Sequence, residues 1–150
     1  MLVPTLTTWR SQFERLKRSY ARVTGPYQSS VEFEDDLHHF MQDCWHLKDW
    51  IKNDPSAGIG AAIEGHVAGY RSLRIAADLA NGSKHLLRLR SREGAHVTSV
   101  GVTVHLGQSK PIDVECTVTL NDGTSMPVQS VVREAFADWN ELLAEIGLNP

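Results

Sequence analysis

Acidic, basic, imidazole and indole side chains are concentrated in one short stretch, residues 43–51, which reads DCWHLKDWI. Apolar residues recur at helical spacing before and after this stretch, so it is predicted to lie within a long helix. His46 and Asp49 are three residues apart and therefore share a helix face. An imidazole can exchange a proton near neutral pH, because its unperturbed pKa is about 6.5. His46 is therefore a candidate acid or base, with Asp49 to orient it.

A second polar group follows a later helix, where residues 81–85 read NGSKH. The Asn-Gly pair predicts a left-handed helix stop after Ala80. Such a turn exposes several hydrogen-bond donors at once, among them those of Asn81, Lys84 and His85. The same residues also have a structural explanation, because Asn-Gly ends many helices and basic residues favour a helix C-terminus.

Other reaction chemistries find little support in the sequence. Asp36 and Asp43 each precede a histidine by three residues, but both pairs lie on one helix, whereas carboxylate-bridged metal sites draw ligands from several helices. Cys44 lies on an apolar stripe, where a thiol is usually inert. No nucleophile elbow, P-loop or dinucleotide fingerprint occurs. We expect neither a metal nor an organic cofactor.

Composition places the chain among single-domain proteins without a membrane segment. Its 150 residues are the usual size of one domain. The formal net charge of −3 argues against a uniformly basic coat, but Arg and Lys cluster between Lys84 and Arg92. Two cysteines without a CxxC motif predict reduced thiols. With no apolar run long enough for a bilayer, we expect a cytoplasmic protein that makes no membrane contact.

Periodicity predicts an α+β fold in which a helical bundle precedes a small antiparallel β-meander and a C-terminal helix. Three bundle helices are predicted by apolar residues at steps of three and four: Trp9–Val23, capped by Thr7 or Thr8; Phe33–Ile51, capped by Ser29; and Arg71–Ala80. The Gly- and Ala-rich segment between them, residues 57–69, is also predicted to be helical.

The hydrophobic period changes to two after residue 97. This alternation predicts two antiparallel strands and, after the Asn121-Asp122-Gly123 turn, a short third strand. A last helix should end at Gly147 and pack on both the sheet and the bundle. The expected single domain, 1–150, thus comprises a bundle at about 5–90, a meander at about 97–126 and a helix at about 128–147.

The helix that reads CWHLKDWI at 44–51, paired with the helix that ends DLANGSKH at 78–85, resembles small bacterial proteins related to the HEPN-like helical bundles. The resemblance covers about residues 30–90. It implies an RNA-cleaving or RNA-binding module of a toxin–antitoxin or phage-defence system, which often forms a homodimer and cleaves without metal. The resemblance thus adds RNA, a cognate protein and a second copy of the chain as expected partners.

Two functional hypotheses follow. In the first, the protein is a metal-independent ribonuclease or an RNA-binding component whose site comprises His46, Asp49, Asn81, Lys84 and His85. In cleavage, Asn81 could orient the phosphate, Lys84 could stabilise the developing negative charge, and His85 could exchange the proton. In the second, it is a non-catalytic protein-interaction module, and the same residues form a polar network that pins two helices together. That network would pair Asp49 with Lys84 and His46 with the Asn81 turn.

Overall fold

The fold is seen in a computed structural model that describes residues 8–27, 29–84, 93–103 and 112–150. Its helices and strands follow one another as α1 (Trp9–Val23), α2 (Ser30–Asn53), 3₁₀ turns at Pro55–Ala57 and Gly60–Ala62, α3 (Ile63–Ala68), α4 (Arg71–Lys84), β1 (His96–Thr103), β2 (Asp113–Thr119), β3 (Ser125–Pro127) and α5 (Val128–Glu145). Helices make up most of the structure, and the strands form one small sheet. The predicted α+β class is confirmed.

The first two helices begin where their capping residues predict. The Thr8 hydroxyl accepts a hydrogen bond from the Ser11 backbone N–H at 3.2 Å, and the Ser29 hydroxyl accepts one from the Glu32 N–H at 3.1 Å. Each bond satisfies a first-turn donor that the helix itself leaves unpaired.

The predicted stop of α4 at Asn81-Gly82 is wrong, because the helix continues to Lys84. Burial on nearly every side of this helix explains the difference: its buried residues are Ser72, Leu73, Ile75, Ala76, Ala77, Asp78 and Ala80. Packing of this kind contributes more to a helix than local propensity does, and here it outweighs the weak helix preference of Asn and Gly.

The segment between α2 and α4 is less regular than predicted. It contains two 3₁₀ turns and the six-residue α3 instead of one helix. Gly58 and Gly60 both have positive φ values, 69° and 58°, which an α-helix does not allow.

The three strands form an antiparallel sheet in the order β1-β2-β3, as predicted. Val100 lies opposite Cys116, and Val118 lies opposite Met126. The predicted Asn-Asp-Gly turn joins β2 to β3, with Gly123 at φ 85° and the Leu120 N–H donating to the Thr124 carbonyl at 2.9 Å. The predicted strand residues 104–106 and the turn at 107–111 lie outside the described residues.

A buried carboxylate connects α4 to the beginning of the sheet. Asp78 is fully buried and accepts hydrogen bonds from the backbone N–H groups of Glu93 at 2.6 Å and Ala95 at 3.4 Å. Arg74 reinforces the connection, because its Nε donates to the Glu93 carboxylate at 2.8 Å. These contacts fix where the chain enters β1.

The last helix packs on both the bundle and the sheet, as predicted. Trp139 is fully buried, and its indole Nε1 donates to the Cys44 carbonyl of α2 at 3.0 Å. At the other end of α5, Gln129 donates to the Val114 carbonyl of β2 at 2.7 Å. The helix ends at Glu145, and the predicted stop residue, Gly147, follows it with a φ of 74°.

We expect Trp139→Ala to lower the free energy of unfolding by about 3–5 kcal/mol, because it leaves a large cavity in the core and removes the hydrogen bond to Cys44. Urea unfolding of the two proteins measures the difference. Trp139→Phe is the matched control, since it keeps most of the apolar volume and should cost clearly less. A loss below about 1 kcal/mol for Trp139→Ala would contradict its place in the core.

Candidate nucleic-acid interface

Two cavities show how the predicted site residues are arranged along α2 and α4. Arg74 borders a cavity of about 250 Å³ with Trp45 of α2, whereas Leu79 borders another of about 310 Å³ with Leu37. The helices are therefore antiparallel. At 1.5 Å per residue, Asn81 lies about 10 Å further along α4 than Arg74.

Asn81 is consequently level with the N-terminal half of α2, whereas His46 and Asp49 lie in its C-terminal half. The structure does not bring Asn81 together with His46 and Asp49. The Lys84 side chain and His85 lie outside the described part of the structure, so their proposed roles stay predictions.

Asp49 has a different ionic partner, its neighbour Lys48, whose Nζ lies 2.7 Å from Oδ1 of Asp49. The Lys48 side chain is only 10% exposed, and its Nζ also lies 3.6 Å from a Glu64 carboxylate oxygen and 4.2 Å from the centroid of the Trp45 ring. A buried ammonium is tolerated in such surroundings because carboxylates and an indole face replace its water. This cluster fixes α3 against α2.

The sequence did not predict this cluster of Lys48 with Asp49, Glu64 and Trp45. Lys48 lies in the polar stretch at 43–51, but its contact with Glu64 is made across an irregular segment. Only the fold shows that α3 returns to the same face of α2.

His46 belongs instead to the side of α2 that faces α1. Asp43, three residues before His46, is held by α1: its carboxylate accepts a short hydrogen bond from Ser19, and its carbonyl accepts one from Gln12 at 3.2 Å. Trp50, four residues after His46, has the guanidinium of Arg15 at 6.0 Å from its ring centroid. Residues at these spacings share a helix face, so His46 lies on the face of α2 that carries Asp43 and Trp50, both of which contact α1.

The exposed face of α1 is basic. The helix carries five basic side chains and one acidic one, a formal charge of +4, and since the whole chain carries −3 the other 135 residues together carry −7. Lys17 pairs with Glu14 at 2.5 Å and Arg22 with Asp36 at 3.4 Å.

The other three basic residues of α1 form no ion pair with a carboxylate in the described ranges: Arg10, Arg15 and Arg18. The charge of Arg10 does act on the Asp54 carboxylate and helps to lower its pKa. Arg10 donates to the Asn149 carbonyl at 3.1 Å and Arg15 to the Gln12 side-chain oxygen at 3.2 Å, neither of which neutralises a charge. We call Arg10, Arg15, Arg18, His46 and Trp50 the α1–α2 surface. It combines unneutralised guanidinium groups with an indole and an imidazole.

The described residues offer few features of other kinds of site. Burial raises the pKa of the Cys44 thiol to about 12, and burial followed by the charge of Glu34 raises that of Cys116, so neither thiol is activated. No three His, Cys, Asp or Glu side chains among those described stand close enough to hold a metal ion. Nor is any described helix sufficiently long and apolar to cross a membrane.

No protein-family model matches this chain, and no curated protein or solved structure matches it significantly.

Asp54 fixes the end of α2 to the beginning of α1. Its Oδ2 accepts the Trp9 backbone N–H at 2.9 Å, and its Oδ1 accepts the Ser56 N–H at 2.9 Å and hydroxyl at 2.7 Å. The bond from Trp9, followed by those from Ser56, holds the pKa of this carboxyl below its usual range. The ionised form therefore stabilises the junction beside Trp50.

We expect Asp54→Ala to lower the free energy of unfolding at neutral pH by about 1 kcal/mol, the usual effect of losing a helix cap. The folded-state pKa is below the unfolded value of about 3.9, so this stabilisation is present above about pH 4 and disappears as the pH falls through the folded-state pKa. In urea unfolding, the difference in unfolding free energy between wild type and Asp54→Ala should therefore be smaller near pH 3 than at neutral pH. Glu141→Ala, an exposed control, should change little, and an equal gap at both pH values would contradict the prediction.

Proposed function

We propose that this protein is a HEPN-like RNA-binding component of a bacterial toxin–antitoxin or phage-defence system, and that it holds RNA on the α1–α2 surface. The observation that carries the proposal is that three exposed arginines of α1, Arg10, Arg15 and Arg18, form no ion pair with a carboxylate in the described part of the chain. Arginine contacts to phosphate supply most non-specific affinity for nucleic acid and often bind two oxygens at once.

An RNA ligand accounts for the aromatic part of the surface as well as the charged part. Proteins that bind single strands combine a basic groove with aromatic rings on which bases stack. Here Trp50 lies beside Arg15, so one ligand with phosphates and bases could use both. An acidic peptide would use the charge but gain little from an indole. The resemblance in residues 44–51 and 78–85 supports RNA over DNA.

Binding is better supported than cleavage. Metal-free cleavage needs a base, a cation and a phosphate-positioning group around one phosphorus atom. His46 and Arg15 lie on the same surface, but Asn81 lies level with the other half of α2. RNA binding requires only the α1–α2 surface.

A second candidate function is a non-catalytic protein-interaction module. The observation that favours it is the ion pair of Asp49 with Lys48 and the further contact of Lys48 with Glu64, which join α2 to α3. In this alternative the polar residues of the HLKDW stretch serve the fold, and a cognate protein binds the chain.

Changing Arg10, Arg15 and Arg18 together to alanine should weaken RNA binding at least about tenfold, because three phosphate contacts are lost. The slope of log K against log salt should fall by about 0.7 for each contact. Fluorescence anisotropy with a labelled single-stranded RNA of about 12 nucleotides measures both quantities. Stability should change by no more than about 0.5 kcal/mol per site, since the side chains are exposed.

Arg133→Ala is the matched control. Arg133 is an exposed arginine on α5, and it also lacks a carboxylate ion pair among the residues that the structure describes. RNA binding that survives the triple change, or an acidic peptide that binds the α1–α2 surface as tightly as RNA, would refute the proposal and favour the interaction module.

Wild-type protein incubated with a mixed RNA pool in EDTA should bind the RNA and leave it intact. Asp49→Ala should lower the melting temperature, because Lys48 stays buried with one carboxylate fewer. Metal-free cleavage that disappears in Lys84→Ala or His85→Ala, with unchanged melting temperatures, would show instead that the protein is a ribonuclease.

A further inference from the structure

Trp50 borders an open cavity of about 250 Å³ at the C-terminal end of α2, which it shares with Asp49, Asn53 and Asp54. Since an apolar cavity of about 150 Å³ can hold a benzene ring, this space has room for one base beside the indole. The indole is itself partly buried against the core, so its position is fixed before any ligand arrives.

The hydrogen-bonding groups of this cavity are mostly acceptors, and most of them are already used. Both Asp54 oxygens accept bonds from Trp9 and Ser56. The Asn53 side-chain amide donates to the Asp49 carbonyl at 2.8 Å. Asp49 Oδ1 accepts the Lys48 ammonium at 2.7 Å, while no described residue donates to its Oδ2. The Asp49 side chain is 46% exposed, so Oδ2 is an acceptor that a ligand can reach.

The charges around the cavity favour a base inside it and phosphates along α1. The carboxylate oxygens of Asp49 and Asp54 can accept a bond from an amino group but offer no donor to a phosphate. The unneutralised guanidinium of Arg15 lies on α1, at 6.0 Å from the Trp50 ring. A strand whose phosphates follow α1 would therefore turn a base, and not a phosphate, toward the cavity.

We propose that Trp50 stacks one unpaired base of a single-stranded RNA in this cavity, and that Asp49 selects a base with an exocyclic amino group. This inference rests on the proposed function, because the arginines of α1 supply the phosphate contacts. A carboxylate accepting from the cytosine amino group is an established way of reading that base, whereas uracil presents a carbonyl oxygen at the same position and would meet the carboxylate with repulsion. A base paired in a duplex cannot enter, because it is stacked and bonded to its partner.

The test is fluorescence anisotropy with labelled oligocytidylate and oligouridylate of about 12 nucleotides each, and with a duplex RNA of equal length. Wild-type protein should bind oligocytidylate tighter than oligouridylate and bind the duplex most weakly. Trp50→Ala should weaken binding of both single strands by about 5- to 150-fold, the range that alanine substitution of a stacking ring produces. Trp50→Phe, which keeps a stacking ring, should retain most of the affinity.

Asp49→Asn should abolish the preference for cytidine, because the side-chain amide can turn its oxygen toward Lys48 and offer an amino group to uracil. Melting of each variant shows that it is folded. If wild type binds RNA through the α1 arginines but Trp50→Ala binds as tightly as wild type, or Asp49→Asn keeps the preference, this inference is wrong and the proposed function stands. If the triple arginine variant binds as well as wild type, the proposed function fails.

Discussion

The structure depends on the burial of one side of α2 by every other helix. Contacts to α1, α3, α4 and α5 all converge on it. Its fully buried apolar residues are Phe33, Phe40, Met41, Cys44, Leu47 and Ile51. Asp35 and His39 lie on the opposite face of α2, which is left to solvent. In the α1–α2 surface, the Trp50 side chain packs against the edge of the core, which supports it.

Hydrogen bonds from buried or partly buried side chains set the register of the helices around α2. Ser19 of α1 donates to the Asp43 carboxylate of α2, and Ser72 of α4 donates to the Asp138 carboxylate of α5 at 2.5 Å. Apolar packing alone tolerates sliding by a turn, whereas a hydroxyl that misses its carboxylate leaves a buried polar group unsatisfied. These pairs therefore select one arrangement among those that apolar contacts would permit.

Features that depend on neighbouring residues could be predicted from the sequence. Caps at Thr8 and Ser29, the turn at Gly123 and the helix end at Gly147 each follow from a side chain or a glycine acting within a few residues. The helix stop predicted at Asn81-Gly82 was wrong because the surrounding helix is buried by tertiary contacts, which neighbouring residues in the sequence do not reveal.

The candidate site was less predictable for the same reason. The sequence identified His46 and Asp49 as candidate site residues. In the structure His46 shares a face of α2 with Asp43, which contacts α1, and Asp49 forms a salt bridge to Lys48. The residues of α4 that lie beside a given residue of α2 depend on the antiparallel packing of the two helices. The position of Asn81 along α2 depends also on the length of the irregular segment that joins them. Neither quantity is encoded in the spacing of residues along one helix.

Folding alone does not explain the charge of α1. Arg10 stands in the first turn, where the helix dipole disfavours a cation, and that turn contains no acidic residue. Arg15 and Arg18 are three residues apart, and like charges that are neighbours on a helix destabilise it by about 0.2–0.5 kcal/mol per pair. The inner face of the same helix, with Trp9, Phe13 and Leu16 buried, is sufficient to attach it to α2. The outer arginines thus add repulsion that the fold does not need, and a polyanion bound along α1 would remove it, which makes the charge pattern intelligible as a binding feature.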